Sequence, residues 1–299
     1  MRLGSLLFVF PLVLAPSLAC LGCEATPAAR TSLNYTADAK RAYDEAMTDF
    51  RSKNWLEAQQ AFRELKRKYS YSRFARLAEL RIADADFEQD KFAEAIRGYK
   101  QFVHDHRADV EEVEYARSKI AEAQYKEIAD SFLLPAVEER DQASAIEAFR
   151  ELKTFLQDYP DGKDSRRICE LLEDVTVKLV RHELYVARFY LVRDNFEGAV
   201  ARLQYALRNY VGTSCSLSTM RGPRAKATEV RPAAAVNDAP PLEFGLAPDA
   251  LLLLGETYLK MHRYPEARAA FQAIVAGFGA SALIVPARRY LDLMTTQGV

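Results

Sequence analysis

The side chains in this sequence that are best suited to chemistry are four histidines and four cysteines. His104 and His106 form a His-x-His pair, and His182 precedes Glu183, but neither pair has further ligands at the spacing of a zinc site. The sequence contains no glycine-rich phosphate loop and no nucleophile-elbow pattern. We therefore expect no catalytic site, no metal and no cofactor. A hydrolase is the alternative, and a convergent polar pocket would favour it.

The cysteines near the N-terminus indicate lipid attachment. Residues 3–18 are almost entirely apolar and follow one positive charge, which is typical of a signal peptide. A small residue precedes Cys23 and a polar stretch follows it, an arrangement that resembles a bacterial lipobox. We predict a lipoprotein signal peptide at 1–22, lipidation of Cys23 with Cys20 as the alternative, and a polar tether at 23–36. An ordinary signal peptide that contains cysteines is the competing interpretation.

The composition excludes some classes of function. The chain has 299 residues, of which 49% are hydrophobic, so it has ample material for a buried core. Its 41 basic and 42 acidic residues leave a net charge of -1, without the basic excess of a general nucleic-acid binder. Glycine and proline number only 12 each, which favours long helices. The sequence leaves open whether Cys169 and Cys215 form a disulfide.

A short pattern recurs along the chain: an aromatic residue, an alanine three positions later, and a large apolar residue four positions after the alanine. The copies are Trp55/Ala58/Phe62, Phe92/Ala95/Tyr99, Phe196/Ala199/Leu203 and Tyr264/Ala267/Phe271, with a weaker copy at Ala145/Phe149 that lacks the aromatic. Nine positions before each aromatic lies a small residue, namely Ala46, Ala83, Ala187 or Gly255. The sequence is therefore built from an internal repeat.

The spacing of this repeat has a physical cause. Two antiparallel helices approach closely only where a small side chain of one meets a large side chain of the other. One such pair cannot bury its apolar face alone, so several pairs must stack. The pattern resembles the tetratricopeptide repeat, whose period is about 34 residues. We predict an all-α fold, a tetratricopeptide-repeat solenoid of about five helix pairs.

Two sets of repeats are predicted, N-terminal repeats at 37–140 and C-terminal repeats at 141–299. Residues 213–245 interrupt the second set, because they contain four prolines and no apolar periodicity. We interpret this stretch as a flexible loop between two helices. Two interpretations of this loop remain open, a partner-binding arm and a tolerated surface insertion.

Two segments resemble a particular family of repeat lipoproteins. Residues 69–75 read Tyr-Ser-Tyr-Ser-Arg-Phe-Ala, similar to a Tyr-Pro-x-Ser-x-x-Ala link in outer-membrane assembly lipoproteins, with Ser70 in place of the proline. Residues 182–190, followed by Ala199 and Arg202, are similar to the same family. The resemblance to these BamD-like lipoproteins of the β-barrel assembly machinery covers about 37–290, apart from the predicted loop.

The resemblance implies a lipid-anchored protein on the periplasmic face of the outer membrane. In such proteins the C-terminal repeats dock on a POTRA domain of the barrel-forming partner, and the N-terminal repeats receive unfolded outer-membrane proteins. Further assembly lipoproteins are additional expected partners, and no nucleic acid is expected. A repeat adaptor for cell-wall or division proteins and a pilotin-like lipoprotein for a secretion or pilus ring are the alternatives.

Candidate binding residues follow from the repeat and from the resemblance. A solenoid offers a groove lined by the first helix of each pair, and a mixture of apolar and charged groups there suits an extended peptide with a terminal carboxylate. The predicted substrate-groove residues are Lys40, Tyr43, Met47, Phe50, Leu77, Leu80, Asp84 and Phe87. Core membership is the alternative for the two phenylalanines. By resemblance, Arg202 and Glu183 are partner-docking residues, with an unpaired surface arginine and a local ion pair as the alternatives.

Overall fold

The computed structural model describes residues 32–128, 135–210 and 246–299, and these form eleven α-helices and one short 3₁₀ helix. The helices are α1 Ser32–Arg51, α2 Trp55–Lys68, α3 Arg73–Glu88, α4 Phe92–Asp105, α5 Val110–Lys126, the 3₁₀ helix Val137–Glu139, α6 Ala143–Asp158, α7 Ser165–Leu191, α8 Phe196–Asn209, α9 Ala247–Lys260, α10 Tyr264–Gly277 and α11 Ile284–Thr296. The predicted loop 213–245 and the residues Cys20, Cys23 and Cys215 lie outside the described residues.

The helices pair in chain order, which confirms the predicted solenoid. Each helix packs on the next, and the first helices of successive pairs also contact one another, α1 with α3, α5 with α7 and α7 with α9. The first helices therefore form the inner surface of the stack, and the second helices α2, α4, α6, α8 and α10 form its outer surface. The structure corrects one boundary, since α1 begins at Ser32, inside the predicted tether 23–36.

Every position of the repeat has the predicted place in the packing. The small residues Ala46, Ala83, Ala187 and Gly255 are buried, as are the motif alanines Ala58, Ala95, Ala145, Ala199 and Ala267. The large residues Phe62, Tyr99, Phe149, Leu203 and Phe271 are buried as well. An added Cβ at Gly255 would lie 2.5 Å from Cε1 of Phe271, so at this crossing the close approach requires glycine.

One turn is repeated at four of the helix-to-helix connections. Lys53, Asp90, Asp194 and His262 have φ between 54° and 62°, and each lies two residues before a motif aromatic. In the first turn, Asn54 N donates to Asp49 O and Lys53 N to Phe50 O, both at 3.0 Å. This is the bonding of a Schellman motif, in which a left-handed residue ends the helix. The aromatic then begins the second helix and closes the end of the pair.

The buried side chains form a core that follows the stack. Three clusters occupy α1–α3, α3–α5 and α5–α11, and the third crosses the predicted boundary at residue 140 because Ala121 packs with α6 and α7. Such neighbour-to-neighbour packing is how a solenoid gains stability. None of the described helices is both long enough and apolar enough to span a bilayer.

Candidate docking surfaces

The two residues predicted for partner docking lie together. Glu183 on α7 and Arg202 on α8 form an ion pair, with Arg202 Nη1 3.5 Å from Glu183 Oε2. The Glu183 side chain is only 7% exposed, whereas that of Arg202 is 44% exposed. The separation is longer than the usual N–H···O distance of about 2.7–3.2 Å. Arg202 therefore retains donors that a partner can reach.

A group of aromatic residues interacts with Glu183 through Tyr210. Tyr210 packs edge-on against Phe149 and Tyr205, with ring centroids 5.4 and 5.7 Å apart. Burial raises the pKa of Tyr210, with Tyr205 and Glu183 contributing in the same direction. Tyr205 is exposed and lies three residues after Arg202 on α8. We call the exposed Arg202 and Tyr205 of α8, together with the buried Glu183 of α7 that pairs with Arg202, the α8 surface.

The burial of Glu183 has a consequence for stability. Burial raises the pKa of Glu183 above its ordinary value of 4.5, although Arg202 and His182 act to lower it. When folding raises the pKa of a carboxyl group, the contribution of that group to the stability of the fold is complete below its unfolded pKa. This contribution is lost as the pH rises through the folded pKa. At neutral pH, the ionised carboxylate therefore destabilises the fold.

We expect Glu183→Gln to raise the melting temperature at pH 7.5, because the uncharged amide fits a buried site better than a carboxylate. The gain should shrink as the pH falls towards the ordinary value of 4.5, because the pKa of Glu183 is raised above that value and the folded wild-type carboxyl loses its charge on the way. Thermal unfolding followed by circular dichroism at both pH values measures the effect. Glu197→Gln is the control, since Glu197 is 75% exposed. A lower melting temperature for Glu183→Gln at pH 7.5 would contradict the prediction.

A second surface, on α7, was missed by the sequence analysis. Tyr185 and Phe189 of α7 and Val192, its C-cap residue, are exposed and follow one another at helical spacing. The guanidinium of Arg193 lies 3.5 Å from the centre of the Phe189 ring. The opposite face of α7, including Leu184 and Ala187, is buried. The pattern was present in the sequence, but periodicity alone does not tell which of two apolar faces is covered.

The predicted groove residues of α1 remain partly accessible. Lys40 is exposed and paired with Asp44 at 2.5 Å. Tyr43, Met47 and Phe50 are half-buried against the core of the first pair. These positions therefore offer an apolar strip with one cation beside it.

The predicted groove residues of α3 differ in how far they are exposed. Leu77 is half-buried and lines a cleft of about 250 Å³ with Arg73, Arg76, Asp109 and Glu112. Leu80, Asp84 and Phe87 are buried, with 1%, 5% and 9% of their surface exposed. The structure corrects the assignment of these three to an open groove, because α4 of the same pair and α5 of the next pair cover them.

Asp84 is the centre of a buried polar network. Its carboxylate accepts hydrogen bonds from Tyr99 Oη at 2.5 Å, Tyr115 Oη at 2.9 Å and Arg81 Nη1 at 2.5 Å. Arg81 Nε also donates to Tyr43 Oη at 3.3 Å. The network joins α1, α3, α4 and α5, so Asp84 holds adjacent repeats together.

The structure also shows the contacts of the histidines and of the cysteine that were considered for chemistry. His182 Nδ1 lies 2.7 Å from the Glu138 carbonyl oxygen, and His104 is exposed beside Asp105. Burial, with Glu173 and Glu170, raises the pKa of the Cys169 thiol to about 11. Within residues 32–128, 135–210 and 246–299, no group of three His, Cys, Asp or Glu side chains is arranged to hold a metal ion.

Comparison with known proteins identifies the family. The model of the YfiO family, described as outer membrane lipoprotein, matches residues 36–223, which is more than half of the chain and includes α2–α8. The chain belongs to this family of outer membrane lipoproteins. A tetratricopeptide-repeat model also matches residues 249–280, which contain most of α9 and all of α10. The predicted resemblance and repeat fold are thereby confirmed.

Curated relatives with the name outer membrane protein assembly factor BamD match the chain, among them the following two. The protein from Caulobacter vibrioides is 27% identical over 164 residues, which are 54% of this chain and 50% of the relative. The protein from Neisseria gonorrhoeae is 22% identical over 206 residues, which are 68% of this chain and 77% of the relative. The chain thus spans only about half the length of the Caulobacter relative that it matches.

Among solved structures, the chain is similar to the TPR2AB-domain:pHSP90-complex of yeast Sti1. That similarity covers 87% of this chain and 86% of the other, with 10% identity and a TM-score of 0.37. A TM-score this low does not establish a shared arrangement of the helices.

Proposed function

We propose that this chain is a scaffold for the assembly of outer-membrane β-barrel proteins and catalyses no reaction. The family match over 36–223 carries the proposal, since the relatives found with it are named assembly factors. In this proposal a lipid on Cys23, or on Cys20, holds the chain at the periplasmic face of the outer membrane. The helix stack then presents separate surfaces to separate partners.

The α8 surface is the proposed docking site for a barrel-forming partner with POTRA domains. Arg202 is well suited to this role because its planar guanidinium has several donors and it is half-exposed. Tyr205 adds an exposed aromatic ring beside it. The buried, weakly paired Glu183 supports the assignment, because a carboxylate that destabilises the isolated chain is typical of a functional position.

The N-terminal repeats are the proposed site for unfolded outer-membrane proteins. Tyr43, Met47, Phe50 and Leu77 offer half-buried apolar surface on first helices, where an extended peptide would lie. Lys40 is available to a peptide carboxylate, because its pair with Asp44 is solvent-exposed and such pairs contribute little.

The α7 surface, formed by Tyr185, Phe189 and Val192, is proposed as a further protein contact, such as another assembly lipoprotein. Three exposed apolar side chains in one row are more than the scattered single residues that a free surface normally has. It lies on a first helix, so it belongs to the inner surface and not to the outer surface that contains α8.

A photo-crosslinker in place of Tyr205 tests the proposed docking. In membranes that contain the lipidated chain, we expect a covalent product with a β-barrel protein that has periplasmic POTRA domains. The matched control places the crosslinker at Arg97, an exposed residue of α4, and should give at least tenfold less of that product. Recovery of cell-wall enzymes or of a secretion or pilus ring from Tyr205, without such a barrel protein, would overturn the proposal.

A further inference from the structure

A cleft on the outer surface lies between α4 and α6, with α5 below. It is lined by Lys100, Val103 and His104 of α4, Arg107 of the loop that follows α4, Val113, Arg117 and Ile120 of α5, and Glu151 of α6. Its volume of about 560 Å³ lies in the range of about 300–1,000 Å³ that is typical of ligand sites. We call it the outer cleft. It is distinct from the α7 and α8 surfaces and from the N-terminal groove residues.

Among the residues that line the outer cleft, permanent cations outnumber carboxylates. Three permanent cations, Lys100, Arg107 and Arg117, line it together with a single carboxylate, Glu151, which lies 3.9 Å from Lys100. In the described part of the chain, neither Arg107 nor Arg117 has an acidic group within ion-pair distance. The whole chain has a net charge of -1, so this local excess reflects placement and not composition.

Neighbouring arginines outside the cleft behave differently. Arg97 on α4 is 3.1 Å from Glu94, and Arg150 on α6 is 3.4 Å from Glu147. Of these four arginines, the two that line the cleft, Arg107 and Arg117, are the ones without an acidic partner among the described residues. Arg117 is also half-buried, and a guanidinium withdrawn from water without a counter-charge gains strongly from binding an anion.

The lower part of the cleft is apolar. Val103 and Val113 are half-buried and Ile120 is buried, and all three belong to the packing between α4 and α5. A ligand that fills the cleft therefore meets cations from α4, from α5 and from the loop between them, and it also meets apolar side chains. An inorganic phosphate or another small anion would leave most of this volume and all of the apolar surface unused.

We propose that the outer cleft binds an anionic phospholipid, with its phosphate on the arginines and its glyceride body on the apolar floor. The forked donors of a guanidinium match phosphate oxygens, and the apolar floor matches the part of the lipid attached to that phosphate. The chain belongs to a family of outer membrane lipoproteins, so a phospholipid surface is close at hand. The inference goes beyond the proposed scaffold role and does not depend on the barrel-forming partner.

Binding of dihexanoyl-phosphatidylglycerol to the purified chain in a non-ionic detergent, measured by calorimetry, tests the inference. We expect saturable binding, at least tenfold tighter than that of dihexanoyl-phosphatidylcholine, which has the same body without net charge. Inorganic phosphate, which lacks the apolar body, should also bind at least tenfold more weakly. Arg107→Gln and Arg117→Gln should each weaken binding of the anionic lipid about tenfold.

Arg97→Gln is the matched control, because it removes an arginine of α4 that lies outside the cleft, and should change the affinity less than twofold. Arg107 is exposed, so its variant reports on binding without a risk to folding. Equal losses for Arg97→Gln and Arg107→Gln would overturn the inference in favour of a general charge effect. Absence of lipid binding, equal binding of phosphate, or displacement of the lipid by a short peptide with an apolar C-terminal residue would also overturn it.

Discussion

Asp84→Ala is expected to lower the free energy of unfolding by about 3–5 kcal/mol, the usual result of removing one partner from a buried ion pair. The side chain of Asp84 is only 6% exposed, and its loss leaves Arg81 without a counter-charge. Tyr99 and Tyr115 lose their acceptor at the same time, and burial together with Asp84 raises the pKa of both hydroxyls, so both remain protonated donors. Urea unfolding followed by circular dichroism measures the change.

Asp44→Ala is the matched control for this prediction. The Lys40–Asp44 pair has the same 2.5 Å separation as Arg81–Asp84, but the Asp44 side chain is 57% exposed. Pairs in water contribute about 0–1 kcal/mol, so the control should lose no more than that. If Asp84→Ala lost as little as Asp44→Ala, the buried network would not be what joins the N-terminal repeats.

The second large effect is expected on partner binding. Arg202→Ala, made in a Glu183→Gln background, should weaken binding of a POTRA-domain fragment of the barrel-forming partner about thirtyfold, or about 2 kcal/mol. The background substitution removes the buried carboxylate that Arg202 neutralises, so the loss of the arginine does not leave an unpaired charge in the fold. Surface plasmon resonance with the fragment measures the affinity.

Two comparisons isolate the contribution of Arg202. Glu183→Gln alone should bind within threefold of wild type, since the exposed guanidinium is still present. Arg208→Ala removes an exposed arginine from the same helix and should also stay within threefold. A thirtyfold loss for Arg208→Ala as well would show that the partner senses the charge of α8 and not the position of Arg202.

The repeat could be predicted from the sequence alone, because its spacing is a local property of the chain. The intervals between Ala46, Trp55, Ala58 and Phe62 follow from the geometry of one helix pair, so they can be read without knowing how pairs stack. The same holds for the start of α2 at Trp55 and of α4 at Phe92. The sequence could not show that Lys53 and Asp90 end the preceding helices in a left-handed conformation, because that conformation usually requires glycine.

Which residues are exposed depends on contacts with neighbouring helices. Leu80, Asp84 and Phe87 lie on a first helix, but packing against α4 of the same pair and α5 of the next pair buries them. The sequence named Glu183 and Arg202, but it could not distinguish a partner contact from a local ion pair. The structure adds that one is buried and the other half-exposed.

The sequence by itself determined the all-α repeat architecture, because one period of apolar and small residues specifies each helix pair. Only the tertiary structure decided which charged and aromatic side chains are accessible. Lys100 and Arg117 come from α4 and α5 and Arg107 from the loop between them, and they line one cleft only when these two helices pack together. The physical reason is that exposure and charge balance depend on neighbours distant in sequence, whereas helix periodicity depends on neighbours within a few residues.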